Sequence, residues 1–204
     1  MTLDRFYLIV DDVAWLPRLL PVGVKLVQLR IKDRPLAEVR EQVATARMLC
    51  REMGACLIVN DYWQVALEQG CDFVHLGQSD LDEADIPALK RAGVRLGIST
   101  HSHEELERAL SLGPDYVALG PIYPTTLKVM PWAPQGLDRI SEWKRRIAPM
   151  PLVAIGGLTV ERLPDVFKAG ADSAAVVSDV LRHPAPEARA REWIQATSQA
   201  AMGQ

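Results

Sequence analysis

Short apolar runs rich in Val, Ile and Leu recur along the chain, each followed by a longer segment whose apolar positions return at helical spacing. Eight runs read as strands: RFYLIV, VKLVQLRI, ACLIVN, DFVHLG, VRLGIS, DYVALG, PLVAIGG and DSAAVVS. Between them the helical pattern covers Leu36 to Met53, Tyr62 to Gln69, His103 to Leu112, Leu137 to Arg146, Val160 to Ala169 and Ala188 to Thr197, after a brief first helix around Trp15 to Leu20. Gly54, Gly70, Gly113 and Gly170 stand where a left-handed turn closes a helix before the next strand. The strand runs are continuous rather than alternating, as expected of strands covered on both faces. Parallel strands joined through helices need right-handed crossovers, so eight βα units close most economically on themselves. The expected fold is a single-domain (β/α)8 TIM barrel over residues 1–204, with the tail after about residue 197 expected to fray.

Composition narrows the function classes. At 204 residues and 49% hydrophobic content the chain can bury one substantial core, and a formal charge of −3 argues against a concentrated basic face for nucleic acid. The opening MTLDRFYLIVDD has no basic region ahead of a long apolar one, and no run approaches a bilayer span, so a cytoplasmic protein without a membrane partner is expected. Cys50, Cys56 and Cys71 have no metal-ligand spacing and read as reduced core residues.

In such a barrel the active face lies at the strand C-termini, and polar residues collect there. The second strand carries Gln28, Arg30 and Lys32, spaced by two and therefore on one inward face. Inward cations without anions would be costly, so a ligand anion is the expected partner, the structural alternative being a pair between Arg30 and Asp61. Asn60 and Asp61 end the third strand, Gln78 and Asp80 follow the fourth, Ser99 ends the fifth, and Thr125, Thr126 and Lys128 follow the sixth. Asp61 and Asp80 supply two hard oxygen ligands, which suit Mg²⁺ completed by water and phosphate oxygens rather than zinc. Both also have the position of a helix cap. The AIGG at the seventh strand and VVSD at the eighth match loops where barrels bind a phosphate monoester, through glycines that admit backbone N–H groups and a helix N-terminus. Two anion sites are expected: a diphosphate with metal near strands two to four, and a monophosphate near strands six to eight. Of the histidines, His75 reads as an inward hydrogen-bonded residue, His101 and His103 as near the mouth within a segment that Ser102 caps toward Glu105, and His183 as surface. No Ser-His-Asp or Cys-His arrangement assembles from the sequence.

Taken in order, VQLRIKD, LIVNDYW, VHLGQSD, GISTHS, ALGPIYPTTLK and VAIGGL resemble the thiamine-phosphate synthase family, over about Phe6 to Ser178. The resemblance implies a transferase that joins the diphosphate of 4-amino-5-hydroxymethyl-2-methylpyrimidine to thiazole phosphate, releasing pyrophosphate and forming thiamine phosphate. It implies that Gln28, Arg30, Lys32, Asn60, Ser99 and Lys128 hold the pyrimidine diphosphate, with Arg30, Lys32, Lys128 and Ser99 catalytic. Asp61 and Asp80 would bind Mg²⁺, and Thr125, Thr126, Leu127, Gly157, Val177 and Ser178 would line the thiazole-phosphate site. Family members are often homo-oligomers, and the resemblance extends that expectation to this chain. The chain departs from the family pattern at Ile31, where an acidic residue is usual, and at Leu127, where a Thr is common.

The nearest rival is the related thiazole tautomerase, which uses a His shortly after the sixth strand; here that segment is LGPIYP, without one. A sugar-phosphate epimerase or isomerase barrel would explain AIGG but not the cationic second strand facing an Asp pair. A non-catalytic binder of thiamine phosphate or thiazole phosphate would bind without releasing pyrophosphate.

Overall fold

A computed structural model describes residues 3–125 and 132–202. Its eight strands are β1 (Phe6–Val10), β2 (Leu26–Leu29), β3 (Cys56–Asn60), β4 (Phe73–Leu76), β5 (Arg95–Thr100), β6 (Tyr116–Leu119), β7 (Leu152–Ile155) and β8 (Ser173–Val176). Every neighbouring pair is parallel, and β8 returns to β1 to close the barrel in sequence order. The continuous apolar runs thus correspond to strands covered on both sides.

The α-helices are α1 (Leu16–Leu19), α2 (Leu36–Glu52), α3 (Trp63–Glu68), α4 (Ile86–Arg91), α5 (His103–Ser111), α6 (Gly136–Ile147), α7 (Leu163–Lys168), α8 (Ser178–Leu181) and α9 (Pro186–Met202). α4 is absent from the sequence pattern because Pro87 interrupts the apolar spacing. As the second helical residue Pro87 costs no hydrogen bond, and the Asp85 carboxylate caps the turn by accepting from Ala88 N at 2.8 Å. The segment Val160 to Ala169 splits into a 3-10 turn at Val160–Arg162 and α7, with Pro164 in the first turn of α7. α9 runs to Met202 rather than ending at Thr197. Gly54, Gly70, Gly113 and Gly170 all have positive φ, as their cap positions require.

Two apolar layers result. Odd and even strand positions part company, so that Phe6, Leu8 and Val10 join the core between strands and helices while Tyr7 and Ile9 join the barrel interior. Inside the barrel Phe73 and Tyr7 meet the Tyr116 ring edge-on, with centroids 5.6 and 6.1 Å apart. Toward the strand C-termini the inward positions shrink to Ala118 and Ala175, and a cavity opens above the aromatic plug.

Candidate active site

The cavity at the strand C-termini holds about 390 Å³. Of the residues singled out in the sequence, Gln28, Arg30, Lys32, Asn60, Asp61, Asp80, Ser99, Thr125 and Val177 line it. Gly157 and Ser178 do not, although their neighbours Gly156 and Val177 do. Thr126, Leu127 and Lys128 lie outside the described residues.

β2 ends at Leu29, yet the period-two alternation continues past it, because Arg30 N still donates to Val10 O at 2.8 Å. Gln28, Arg30 and Lys32 therefore all face the cavity, while Ile31 turns outward and is buried in the outer core. That placement makes its departure from the acidic family pattern a matter of packing, away from the mouth. Lys32 Nζ pairs with Asp61 Oδ2. Among the described residues Arg30 has no carboxylate within ion-pair distance, so the alternative Arg30–Asp61 pair is not formed.

Asp61 follows β3 with a left-handed φ of +61°, a conformation Asp tolerates better than most residues. It does not cap α3, whose N-cap is Tyr62 with no side-chain cap bond. Asp80 heads the 3-10 turn Asp80–Asp82, and its Oδ2 accepts from Gly77 N at 2.9 Å. A Cβ on Gly77 would stand 3.0 Å from that oxygen, so a larger residue here would push the carboxylate outward by a few tenths of an ångström. Burial first, and then the adjacent Asp61 carboxylate, raise the Asp80 carboxyl above its ordinary range, with Lys32 acting in the opposite sense. Two carboxylates drawn together beside a lysine favour a cation between them. Among the described residues no group of three or more His, Cys, Asp and Glu could hold a metal, so an ion here would rest on two carboxylates and its ligand.

On the opposite wall Gly156 and Gly157 have φ of +98° and +66°. A Cβ on Gly157 would meet Pro124 O at 2.6 Å, so this turn packs against the loop after β6 as only glycine can. α8 begins at Ser178, and the one carboxylate in its first turn is turned away: Asp179 accepts from Arg189 Nε at 2.8 Å and Trp193 Nε1 at 2.7 Å.

Of the histidines read as reaching the mouth or its rim, His101 does so and His103 does not. His75 is inward and hydrogen-bonded, Nε2 lying 2.8 Å from Ser99 Oγ and Nδ1 2.7 Å from Tyr116 Oη. The structure thus brings together a Ser–His pair that the sequence did not reveal, with a tyrosine rather than a carboxylate on the far nitrogen. His101 lines the cavity, bound to Glu105 through Nδ1 at 2.8 Å and stacked on Trp132. His103 turns away to Glu142, and His183 is exposed. Ser102 caps α5 by accepting from Glu105 N at 3.3 Å. The inward Tyr7 lines the cavity although the sequence reading did not single it out, and Tyr116 is the residue that joins it to His75.

A closed parallel barrel whose C-terminal mouth gathers cations, paired carboxylates and a glycine turn is a (β/α)8-barrel protein of the kind built to handle anionic ligands. Residues 6–180 match the family model described as thiamine monophosphate synthase. The chain is 60% identical to the thiamine-phosphate synthase of Rhizobium etli over 97% of both chains, and 47% identical to that of Photorhabdus laumondii over 95% of this chain and 86% of that one. Among solved structures, thiamine phosphate pyrophosphorylase from Pyrococcus furiosus superposes with a TM-score of 0.84 at 30% identity, covering 97% of this chain and 96% of the other. The chain belongs to the thiamine monophosphate synthase family, as the ordered motifs implied.

Proposed function

We propose that the protein is a thiamine-phosphate synthase, a transferase joining the pyrimidine diphosphate to thiazole phosphate with release of pyrophosphate. The observation that carries this reading is the Arg30 side chain: a half-buried cation lining the cavity, without a carboxylate partner among the described residues, beside the Asp61–Asp80 pair. A diphosphate with a divalent cation satisfies all of these groups at once. Family membership and two relatives named for this activity support the same reading.

In this reading Arg30, Lys32 and Asn60 hold the diphosphate end of the first substrate, with Lys128 from the loop after β6, while Gln28 and Ser99 face its pyrimidine ring. Asp61 and Asp80 hold Mg²⁺, which when bound offsets the charge that develops on the departing pyrophosphate. Arg30 and Lys32 stabilise the same charge through the low-dielectric wall of the cavity. Cleavage of a carbon–oxygen bond in this way needs positioned charge more than a strong base, and among the described residues no charge-relay triad stands in the cavity. The thiazole phosphate docks on the opposite wall, at Thr125, Val177 and the Gly156–Gly157 turn, with Ser178 next in sequence; Thr126 and Leu127 complete the set that the sequence motif assigns to it. The whole chain acts as one domain, and a homo-oligomer would form through outer helix faces such as that of α2, which exposes Leu36 and Met48.

Incubating the purified protein with both substrates and Mg²⁺ tests the proposal by product analysis. Thiamine phosphate is the expected product. Tight binding of the phosphates without product would make the chain a binder, and interconversion of thiazole-phosphate tautomers without metal would make it an isomerase.

A further inference from the structure

A buried polar chain crosses the barrel beneath the cavity. Gln28 Nε2 donates to Tyr7 Oη at 2.7 Å, and the Tyr7 and Tyr116 hydroxyls lie 2.9 Å apart. Tyr116 Oη is 2.7 Å from His75 Nδ1, and His75 Nε2 is 2.8 Å from Ser99 Oγ. Register explains how the chain closes. His75 and Tyr116 both pair with Gly97 on the strand between them, and a Cβ there would meet the Tyr116 ring at 2.1 Å. The missing side chain lets Tyr116 lean across β5 and stack on His75, with centroids 5.6 Å apart.

With the Gln28 amide oriented as it stands, counting hydrogens sets the direction of every link. The Gln28 amide nitrogen can only donate, so the Tyr7 oxygen receives it and the Tyr7 hydrogen goes to Tyr116, its other neighbour. The Tyr116 hydrogen then goes to His75 Nδ1. Nδ1 is thereby the acceptor, so the imidazole hydrogen is on Nε2 and is donated to Ser99 Oγ. The Ser99 hydrogen is left over, and Ser99 lines the cavity. Reversing only part of the chain leaves a buried hydroxyl hydrogen without an acceptor, or faces two hydrogens or two lone pairs, and so forfeits a bond in a buried site. Reversing all of them requires the Gln28 amide to turn over. The two ends are therefore tied. With Gln28 Oε1 facing the cavity as an acceptor, Ser99 presents a donor; with the amide turned over, both reverse.

We propose that Tyr7, Tyr116 and His75 are positioning residues that lock Gln28 and Ser99 into one recognition unit of opposite polarity, selecting a heteroaromatic ligand with an amino donor at one point and an acceptor at another. The aminopyrimidine of the proposed substrate has both, whereas its oxo counterpart, with a ring N–H and a carbonyl, presents the reverse order. The specificity consequence rests on the synthase reading; the polarity of the chain does not.

Two measurements test this. Nitrogen NMR of histidine-labelled protein without ligand, near neutral pH, reads the His75 tautomer directly, with the other three resonances assigned through His101→Gln, His103→Gln and His183→Gln. A proton on Nε2 is expected; a proton on Nδ1 overturns the proposal whatever the enzyme does. The second compares kcat/KM for the amino and oxo pyrimidine diphosphates in the wild type and in Tyr116→Phe, which keeps the ring in its slot over Gly97 and removes only the hydroxyl. The preference for the amino compound is expected to fall by roughly tenfold or more, because the ends can then turn independently. An equal loss on both compounds, leaving the ratio unchanged, marks Tyr116 as merely structural and overturns the proposal. If the wild type turns over neither compound, the synthase reading fails while the tautomer still decides the polarity.

Discussion

Full burial sets the ionisation of His75: desolvation holds its imidazole down at about 4 from the ordinary 6.5, with Asp61 opposing and Arg30 assisting. The unfolded chain binds a proton in this window and the folded chain does not, so stability is lost as pH falls from 6.5 toward 4 and is flat above it. The loss amounts to something on the order of 3 kcal/mol for this residue alone. Urea midpoints of the wild type and His75→Gln across that window check it. The variant is expected to show a shallower slope; equal slopes would contradict the buried neutral imidazole. Asp61 makes a complementary point about single residues. Its left-handed backbone turns the carboxylate toward Lys32 and Asp80 at the end of a hydrophobic strand, and a side chain that merely met solvent would not require that conformation.

Between elements, the deciding feature is the contact that Gly97 permits. Adding a methyl group at this position drives a Cβ into the Tyr116 ring, which has no free space to move into among Tyr7, Phe73 and His75. Gly97→Ala is expected to destabilise the fold by about 1–3 kcal/mol. Chemical denaturation measures this, and a loss below about 0.5 kcal/mol, within ordinary surface variation, would mean the ring is not confined. The contact also shows where sequence stops being informative. The eight strands and the inward set Gln28, Arg30 and Lys32 were legible because strand alternation is local and continues through Lys32. α4 was not, because Pro87 breaks the apolar pattern while being harmless in a first turn. The Tyr7–Tyr116–His75–Ser99 chain was not legible either. It depends on register across four strands, β1, β4, β5 and β6, and in the sequence its tyrosines are indistinguishable from core aromatics. Gly157 and Ser178 were read as lining residues, whereas the described cavity meets Gly156 and Val177 beside them. Turn geometry, which one-residue shifts control, is finer than motif position resolves.

At the scale of the whole molecule, the closed order β1 to β8 leaves no sheet edge, and α9 packs back against the start of the chain through Trp193 stacked on Phe6 at 5.5 Å. Tryptophan fluorescence and far-ultraviolet circular dichroism are accordingly expected to report one coincident unfolding transition; two separated transitions would contradict a single domain. Among the described residues no helix is long and apolar enough to cross a membrane. The molecule places cations and paired carboxylates on one wall of its mouth and a glycine turn on the other, the geometry expected for two phosphorylated substrates meeting between them. The most direct test is the initial rate of pyrophosphate release, measured with each substrate alone, with both, and with and without Mg²⁺, in the wild type and in Asp61→Ala. Release that requires both substrates and the metal, and that is lost in a folded Asp61→Ala, is the predicted result. No release from the wild type, or undiminished release from the variant, would contradict it.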